Sequence, residues 1–373
     1  MRKKKKVLFI SHVLDGSGAP RSLLYLLRFF PEEARSHYLF YLLGLRRKEL
    51  LPSFQELCEE ARVITASSPQ TLPGKALERL QSLPAIWRYL KQVVPDLVFI
   101  NSAANSRALF LSRLAGYRTW VYVHEFDEGF VKLARLRRKA ILLSERALVT
   151  NPLQITWLRK EVGFKGPVEI LPNALPPLSP PPPPKDPAFL AFRKRYSFLL
   201  GMAGYISRLK GWDLFLEVIK GFLPYGEMGF VVVGDFVNPS EKMAFLKEVE
   251  ALGLGERFYL TGLKEDALPY LGCLDCVAIT SRSETFSRVA LEAMACGVPV
   301  VSFRVGSIKA VFPQGYPYLV PPFEVEKFVR CVKEIKELKD RTPLEKMLKA
   351  RARLFEAPRI AKRFARMLKE AFS

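Results

Sequence analysis

The chain has 373 residues, 49% of them hydrophobic, and a formal net charge of +21. That length and composition suffice for two α/β domains and exclude global disorder. Basic residues outnumber acidic ones by 28 to 15 in residues 1–175 and by 30 to 22 in 176–373, so both halves favour an anionic partner: nucleic acid, lipid headgroups or a phosphorylated substrate.

Residues 1–6 are a basic lead to the apolar run 7–10, which ends at Ser11 and His12. So short a run, with no cleavage site after it, reads as a first strand rather than a signal peptide. No window reaches the ~18 apolar residues of a membrane-spanning helix. Next, Gly16 and Gly18 lie in a loop before a helix predicted over residues 22–30. Strand, glycine loop and helix in succession let backbone approach a phosphate or a sugar, although a tight turn without a ligand is the other reading. A dinucleotide fingerprint is demoted, because the apolar run 38–43 does not end in the acidic residue expected about 20 residues on.

Strands and helices then alternate. A strand is predicted at 63–64, a helix over 76–94 before Pro95, and a strand over 96–101 that runs into Ser102. A helix over 108–114 precedes a strand over 120–123, which delivers His124 and Glu125 at its carboxyl end. Strands at 147–150 and 168–171 follow, the latter before Pro172 and Asn173. Such repetition argues a doubly wound parallel sheet. Within 131–146, Lys132, Arg135, Arg137, Arg138, Lys139 and Arg146 interleave with Leu133, Leu136, Ile141, Leu142 and Leu143. On a helix this is either a solvated basic face or a surface for an anionic membrane or an acidic acceptor.

Residues 176–187 hold eight prolines and read as a stiff connector. After them the α/β pattern restarts, with strands predicted at 198–204, 230–233, 258–260 and 277–280 and helices at 212–222 and 243–252. The predicted organisation is an N-terminal Rossmann-like domain over 1–175, the linker 176–187, a second domain over 188–357, and a basic amphipathic helix over 358–373. Five cysteines form an odd, sparse set that favours a reducing compartment over a disulfide framework. Cys273 and Cys276 have C-x-x-C spacing without a second ligand pair, which reads as core thiols rather than a zinc or redox site.

The stretch 281–300 concentrates the chemistry. It reads as a strand end, a polar loop with Glu284, a helix carrying Glu292 about two turns inside, a stop at Gly297 and a new strand. At the carboxyl edge of a parallel sheet, such a loop and helix N-terminus form a site where N–H groups meet an anion. The two carboxylates would accept hydrogen bonds from hydroxyls.

Glu284 and Glu292, with seven residues between them in Ser-x-x-Glu-x-Phe-x-x-x-x-Leu-Glu-Ala-Met-Ala-x-Gly-x-Pro-Val-Val, resemble the E-x7-E segment of retaining glycosyltransferase family 4. Gly18-Ala19-Pro20-Arg21 is similar to that family's N-terminal glycine loop, and Val123-His124-Glu125 to its His-bearing strand end. Pro172-Asn173-Ala174 and the segment 204–211 follow the family's order as well. Three places depart from its pattern: Tyr205 where an Arg is usual, Thr285 and Ser287 where glycines are common, and Ile308-Lys309 where a Gly-x-x-Glu turn is usual.

The resemblance implies the GT-B fold, two doubly wound parallel-sheet domains facing across a cleft, with the C-terminal helix packed back on the first. It implies a retaining, metal-independent transferase that needs no cofactor and uses a nucleotide sugar as donor. By resemblance, Arg208, Lys210, Gly18 and the amides of Phe286 and Ser287 would bind the donor diphosphate. Glu292 would bind the ribose, and His124 and Glu284 would face the transferred sugar. The expected acceptor is an anionic lipid or a saccharide of the cell envelope. The expected location is the cytoplasm or the inner face of the cell membrane, with peripheral contact to anionic lipid and no nucleic-acid partner. The competing readings are a non-catalytic basic binding protein and an inverting transferase or epimerase of the same fold.

Overall fold

The computed structural model describes residues 3–65, 72–125, 135–177, 181–264 and 266–373. They fall into two compact units, Met1–Pro176 with Phe355–Ser373, and Pro177–Leu354.

In the first unit the strands are β1 (Lys5–Ser11), β2 (Tyr38–Arg46), β3 (Glu60–Thr65), β4 (Leu97–Asn101), β5 (Thr119–Val123), β6 (Arg146–Val149) and β7 (Val168–Ile170). They pair in parallel in the order β3-β2-β1-β4-β5-β6-β7. Val7, Leu8, Phe9 and Ile10 of β1 are all fully buried. A strand apolar on both sides is what a sheet covered by helices on both faces demands.

The helices α1 (Gly18–Arg28), α2 (Leu72–Val93), α3 (Ser106–Leu114) and α4 (Arg135–Ile141) supply that cover. Leu23 and Leu27 of α1 join the core on one face; Leu90 of α2, Leu109 of α3 and Ile141 of α4 join the core on the other. The helix predicted from Ser22 begins earlier, at Gly18. Pro20 is compatible with this because the first turn of a helix has no intrahelical use for its N–H groups. Of the basic segment 131–146, residues 131–134 lie outside the described residues; among the described ones, Arg135–Ile141 form α4.

The connector 176–187 is shorter than its composition suggests. Residues 178–180 lie outside the described residues, and Pro187 already opens α5 (Pro187–Arg195). Asp186 caps that helix, accepting from the Phe189 N–H at 3.0 Å.

The second unit contains β8 (Phe198–Ile206), β9 (Met228–Phe236), β10 (Phe258–Leu260), β11 (Cys276–Ile279), β12 (Val300–Phe303) and β13 (Leu319–Val320), parallel in the order β10-β9-β8-β11-β12-β13. Its helices include α6 (Trp212–Lys220), α7 (Pro239–Ala251) and α8 (Arg288–Cys296). In each sheet the strand order reverses beside the first strand, between β1 and β4 and between β8 and β11. The loops leaving such a pair diverge, and the crevice at their carboxyl ends is where open α/β sheets bind ligands.

The chain then returns to the first unit. Leu175 donates its N–H to the Phe355 carbonyl at 2.9 Å and accepts from Ala357 at 2.7 Å. The last helix, α9 (Ala357–Ala371), buries Ile360, Phe364 and Leu368, spaced one turn apart. Phe364 packs on Phe99 with ring centroids 5.3 Å apart. No described helix is long and apolar enough to cross a membrane. The five cysteines are free thiols, and burial pushes Cys276 up to about 12.

Candidate functional site

In the second unit, two loops at the sheet's switch point are bound together. The first leaves β8. Ser207 caps a short turn, Arg208–Lys210, by accepting from the Lys210 N–H at 3.4 Å. Gly211 closes it at φ +72, and a Cβ there would lie 2.0 Å from the Thr280 carbonyl oxygen, so only glycine fits. The second loop leaves β11 and carries Ser281, Arg282 and Glu284.

Lys210 Nζ lies 2.6 Å from Glu284 Oε1, and the Ser281 hydroxyl donates to the same oxygen at 2.8 Å. Glu284 is only 6% exposed. A carboxylate so buried needs these partners, since removal from water disfavours its charged form. Its own carbonyl accepts from the Ser307 N–H at 2.9 Å, which ties the loop to the chain after β12. Lys210, Glu284 and Ser287 line one shallow concavity together with Met202, Thr280 and Ser281.

Ser287 is the N-cap of α8, accepting from the Ala290 N–H at 3.3 Å. The positive end of that helix therefore stands at the wall of the concavity, a place suited to an anion. The helix begins at Arg288, so Glu292 lies one turn inside it rather than two. Glu292 is paired with Arg288 at 2.9 Å, and both side chains are nearly buried. This i,i+4 pair is legible in a helical sequence, yet the E-x7-E pattern does not announce it.

Arg208 is placed differently. Its side chain is 72% exposed and reaches Asp213 only at 3.8 Å. Arg282, which the sequence did not single out, holds Asp213 through both guanidinium nitrogens at 2.7 Å. It also donates to the Arg208 carbonyl at 2.6 Å, while its own N–H bonds the Leu209 carbonyl at 2.8 Å. Burial alone would raise the Asp213 carboxyl, but the Arg282 hydrogen bonds and charge hold it below its usual range. The Phe286 side chain is buried.

The first unit gathers a second set at the carboxyl ends of β1, β4 and β5. Gly18 starts α1, and the next carbonyl, Ala19, accepts from the Asn101 amide at 3.2 Å. That amide nitrogen also lies 3.4 Å from the Ser11 hydroxyl. With both donors directed there, the Asn101 oxygen faces His124 Nε2 at 3.0 Å and the ring must donate to it. His124 also packs on Tyr122, centroids 4.0 Å apart. Burial holds its imidazole down to about 4, against the pull of Glu125, so the ring is neutral near pH 7.

Glu125 is a backbone anchor. Its oxygens accept from the N–H groups of Ala103 and Ala104 at 3.1 and 3.0 Å and from the Ser102 hydroxyl at 2.5 Å. Ser102 is held at φ +96, a strained conformation for a non-glycine residue of the kind that clusters at functional edges. His12, also passed over by motif, lies at the end of β1 with a buried Nδ1 that has no hydrogen-bond partner among the described residues.

Residues 197–337, most of the second unit, match the family model "Glycosyl transferases group 1". Among curated proteins, the chain is 27% identical over 256 residues to the 2-deoxystreptamine N-acetyl-D-glucosaminyltransferase of Streptomyces fradiae, covering 61% of this chain and 59% of that one. It is 34% identical over 121 residues to the lipopolysaccharide core biosynthesis mannosyltransferase LpsB of Rhizobium meliloti, covering 31% and 34%. The chain thus spans less than two thirds of the length of either relative. Among solved structures, Anabaena Alr3699/HepE in complex with UDP-glucose superposes with a TM-score of 0.81 at 18% identity, covering 98% of this chain and 99% of that one. Sucrose-phosphate synthase from Thermosynechococcus elongatus gives 0.77 at 17% identity, with 99% of each chain covered. The fold is therefore the two-domain GT-B type.

Proposed function

We propose that this chain, which carries a Glycosyl transferases group 1 domain, is a retaining, metal-independent glycosyltransferase. It moves a sugar from a nucleoside diphosphate sugar to a lipid or polysaccharide acceptor of the cell envelope. The observation that carries the reading is the Lys210–Glu284 pair at the capped N-terminus of α8. A cation, a helix positive end and a carboxylate on one concavity suit a donor that is anionic at its diphosphate and hydroxylated at its sugar.

In this reading the bond between the anomeric carbon and the diphosphate oxygen breaks, and the acceptor hydroxyl bonds to that carbon from the same face. Its proton passes to the departing phosphate. Lys210, Arg208 and the amides of Phe286 and Ser287 take up the charge that develops on the leaving group. Glu292 accepts from the ribose hydroxyls and Glu284 from the sugar. From the first unit, Gly18 lets backbone approach the donor, and neutral His124 offers its ring to the transferred sugar without adding charge. The complexes of HepE with UDP and UDP-glucose support a nucleotide sugar donor. The likeness to LpsB and the net charge of +21 support an envelope acceptor and work at the inner face of a membrane.

The test is a panel of UDP-, GDP- and ADP-sugars without added metal, read by thermal shift and donor hydrolysis. One donor is expected to stabilise and be hydrolysed by the wild type, and Glu292→Ala to lose the shift. A wild type indifferent to every donor at saturation would sink the proposal. A shift retained by Glu292→Ala would remove the ribose assignment.

A further inference from the structure

On the first unit, α3 and α4 lie side by side in one layer. Ala108 and Leu109 of α3 and Ile141 of α4 share one apolar core against the sheet, and the two helices pack on each other. Their outer sides therefore face away from the sheet together. Those sides should be polar throughout, and they are not. Phe110 is 55% exposed, Leu114 65% and Leu136 69%, with Leu142 and Leu143 exposed just beyond α4. Scattered exposed apolar residues are ordinary, but a group on adjoining helices marks an interaction surface.

Charge decides what it meets. The two helices contain six basic residues and no acidic one. Arg113, Arg135 and Lys139 are exposed among the leucines. Arg113 shares Glu145, beyond α4, with Arg118, at 3.1 and 3.2 Å. A second copy of the chain would bring like charges together across an isologous contact. A nucleic acid would satisfy the cations but leave the leucines in water. A lipid interface satisfies both, with aliphatic and aromatic side chains in the acyl boundary and Arg and Lys among the headgroups.

We infer that the outer face of α3 and α4, from Phe110 and Leu114 to Leu136, Arg135 and Lys139, is a peripheral docking surface for an anionic lipid bilayer. This deepens the proposed function, since it names the surface by which the enzyme would reach an acceptor in the membrane.

Flotation of the full chain with vesicles of phosphatidylcholine alone, and of phosphatidylcholine with phosphatidylglycerol, tests it at low and high salt. The wild type should bind only the anionic vesicles, and less at high salt. Removing a basic side chain should cost about five-fold in partitioning, so Arg135→Glu with Lys139→Glu should weaken binding at least twenty-fold by the same rule. Phe110→Ser with Leu114→Ser should weaken it at both salt levels. Failure of the wild type to float with anionic vesicles overturns the inference, as does equal binding by both double variants. Dimerisation of the wild type that Phe110→Ser abolishes would overturn it in favour of a second copy. Donor-induced thermal shift, measured on every variant, reports folding and the donor reading separately: it should match wild type in all of them.

Discussion

Lys210 and Glu284, 74 residues apart in the chain, meet at 2.6 Å and join the loop after β8 to the loop after β11. The lysine is one-third exposed while the carboxylate is buried. Removing the lysine therefore strands a carboxylate away from water. We expect Lys210→Ala to cost about 2 kcal/mol of stability, less than a fully buried pair because the cation is partly solvated. Lys210→Ala with Glu284→Gln should recover most of that loss in urea unfolding, yet donor binding should stay absent. Recovery of both together would make the pair structural only.

Arg282 competes with Arg208 for Asp213. Its two bonds at 2.7 Å leave Arg208 at 3.8 Å. With Arg282→Ala, Arg208 is expected to close on Asp213 and be lost to the donor diphosphate. The donor KM should rise roughly tenfold, the weight of one charge-assisted contact. Adding Asp213→Ala should bring KM back toward wild type. A double variant worse than the single would show that Arg282 acts only by holding the loop.

Arg288 fixes Glu292 through the pair at 2.9 Å. Arg288→Ala should leave the carboxylate free to turn, raising the donor KM several-fold with kcat little changed, while Arg288→Lys should recover part of it. A fall in kcat at constant KM would contradict this assignment.

His124 makes a pH prediction with a definite sign. Burial holds its folded-state value near 4, against about 6.5 when unfolded. Between those values the unfolded chain binds the extra proton, so this residue's contribution to stability falls as pH drops from 6.5 towards 4. Relative to wild type, His124→Gln should gain about 2 kcal/mol between pH 7 and pH 4.5. Urea midpoints of both proteins across that range check it, and a constant difference would mean that the ring is not buried as described.

Gly211 should tolerate no side chain, because a Cβ at φ +72 would stand 2.0 Å from the Thr280 carbonyl. Gly211→Ala is expected to destabilise the protein by about 3 kcal/mol and to blunt the donor-induced thermal shift. A melting temperature equal to wild type would show that the two loops can part at no cost.

Much of this was readable from the chain alone, because local patterns report local physics. Alternating apolar runs and helical stretches announce parallel α/β units. The pair Glu284 and Glu292 is visible because both lie on one strand-loop-helix segment. The sequence puts Glu292 two turns inside α8 and the structure puts it one turn inside, since Ser287 rather than a residue nearer Glu284 supplies the cap. The α1 helix starts at Gly18 rather than Ser22 because prolines and glycines suit a loop and a first helical turn alike. Only the tertiary structure decided the partners. Lys210 with Glu284, Arg282 with Asp213, and Asn101 with His124 are set by the order in which strands pair, and no local periodicity encodes that order. Burial follows from the same pairing. It makes His124 a neutral ring and Glu284 a carboxylate that cannot do without its lysine, whereas Arg208, identical in type to Arg282, stays in water.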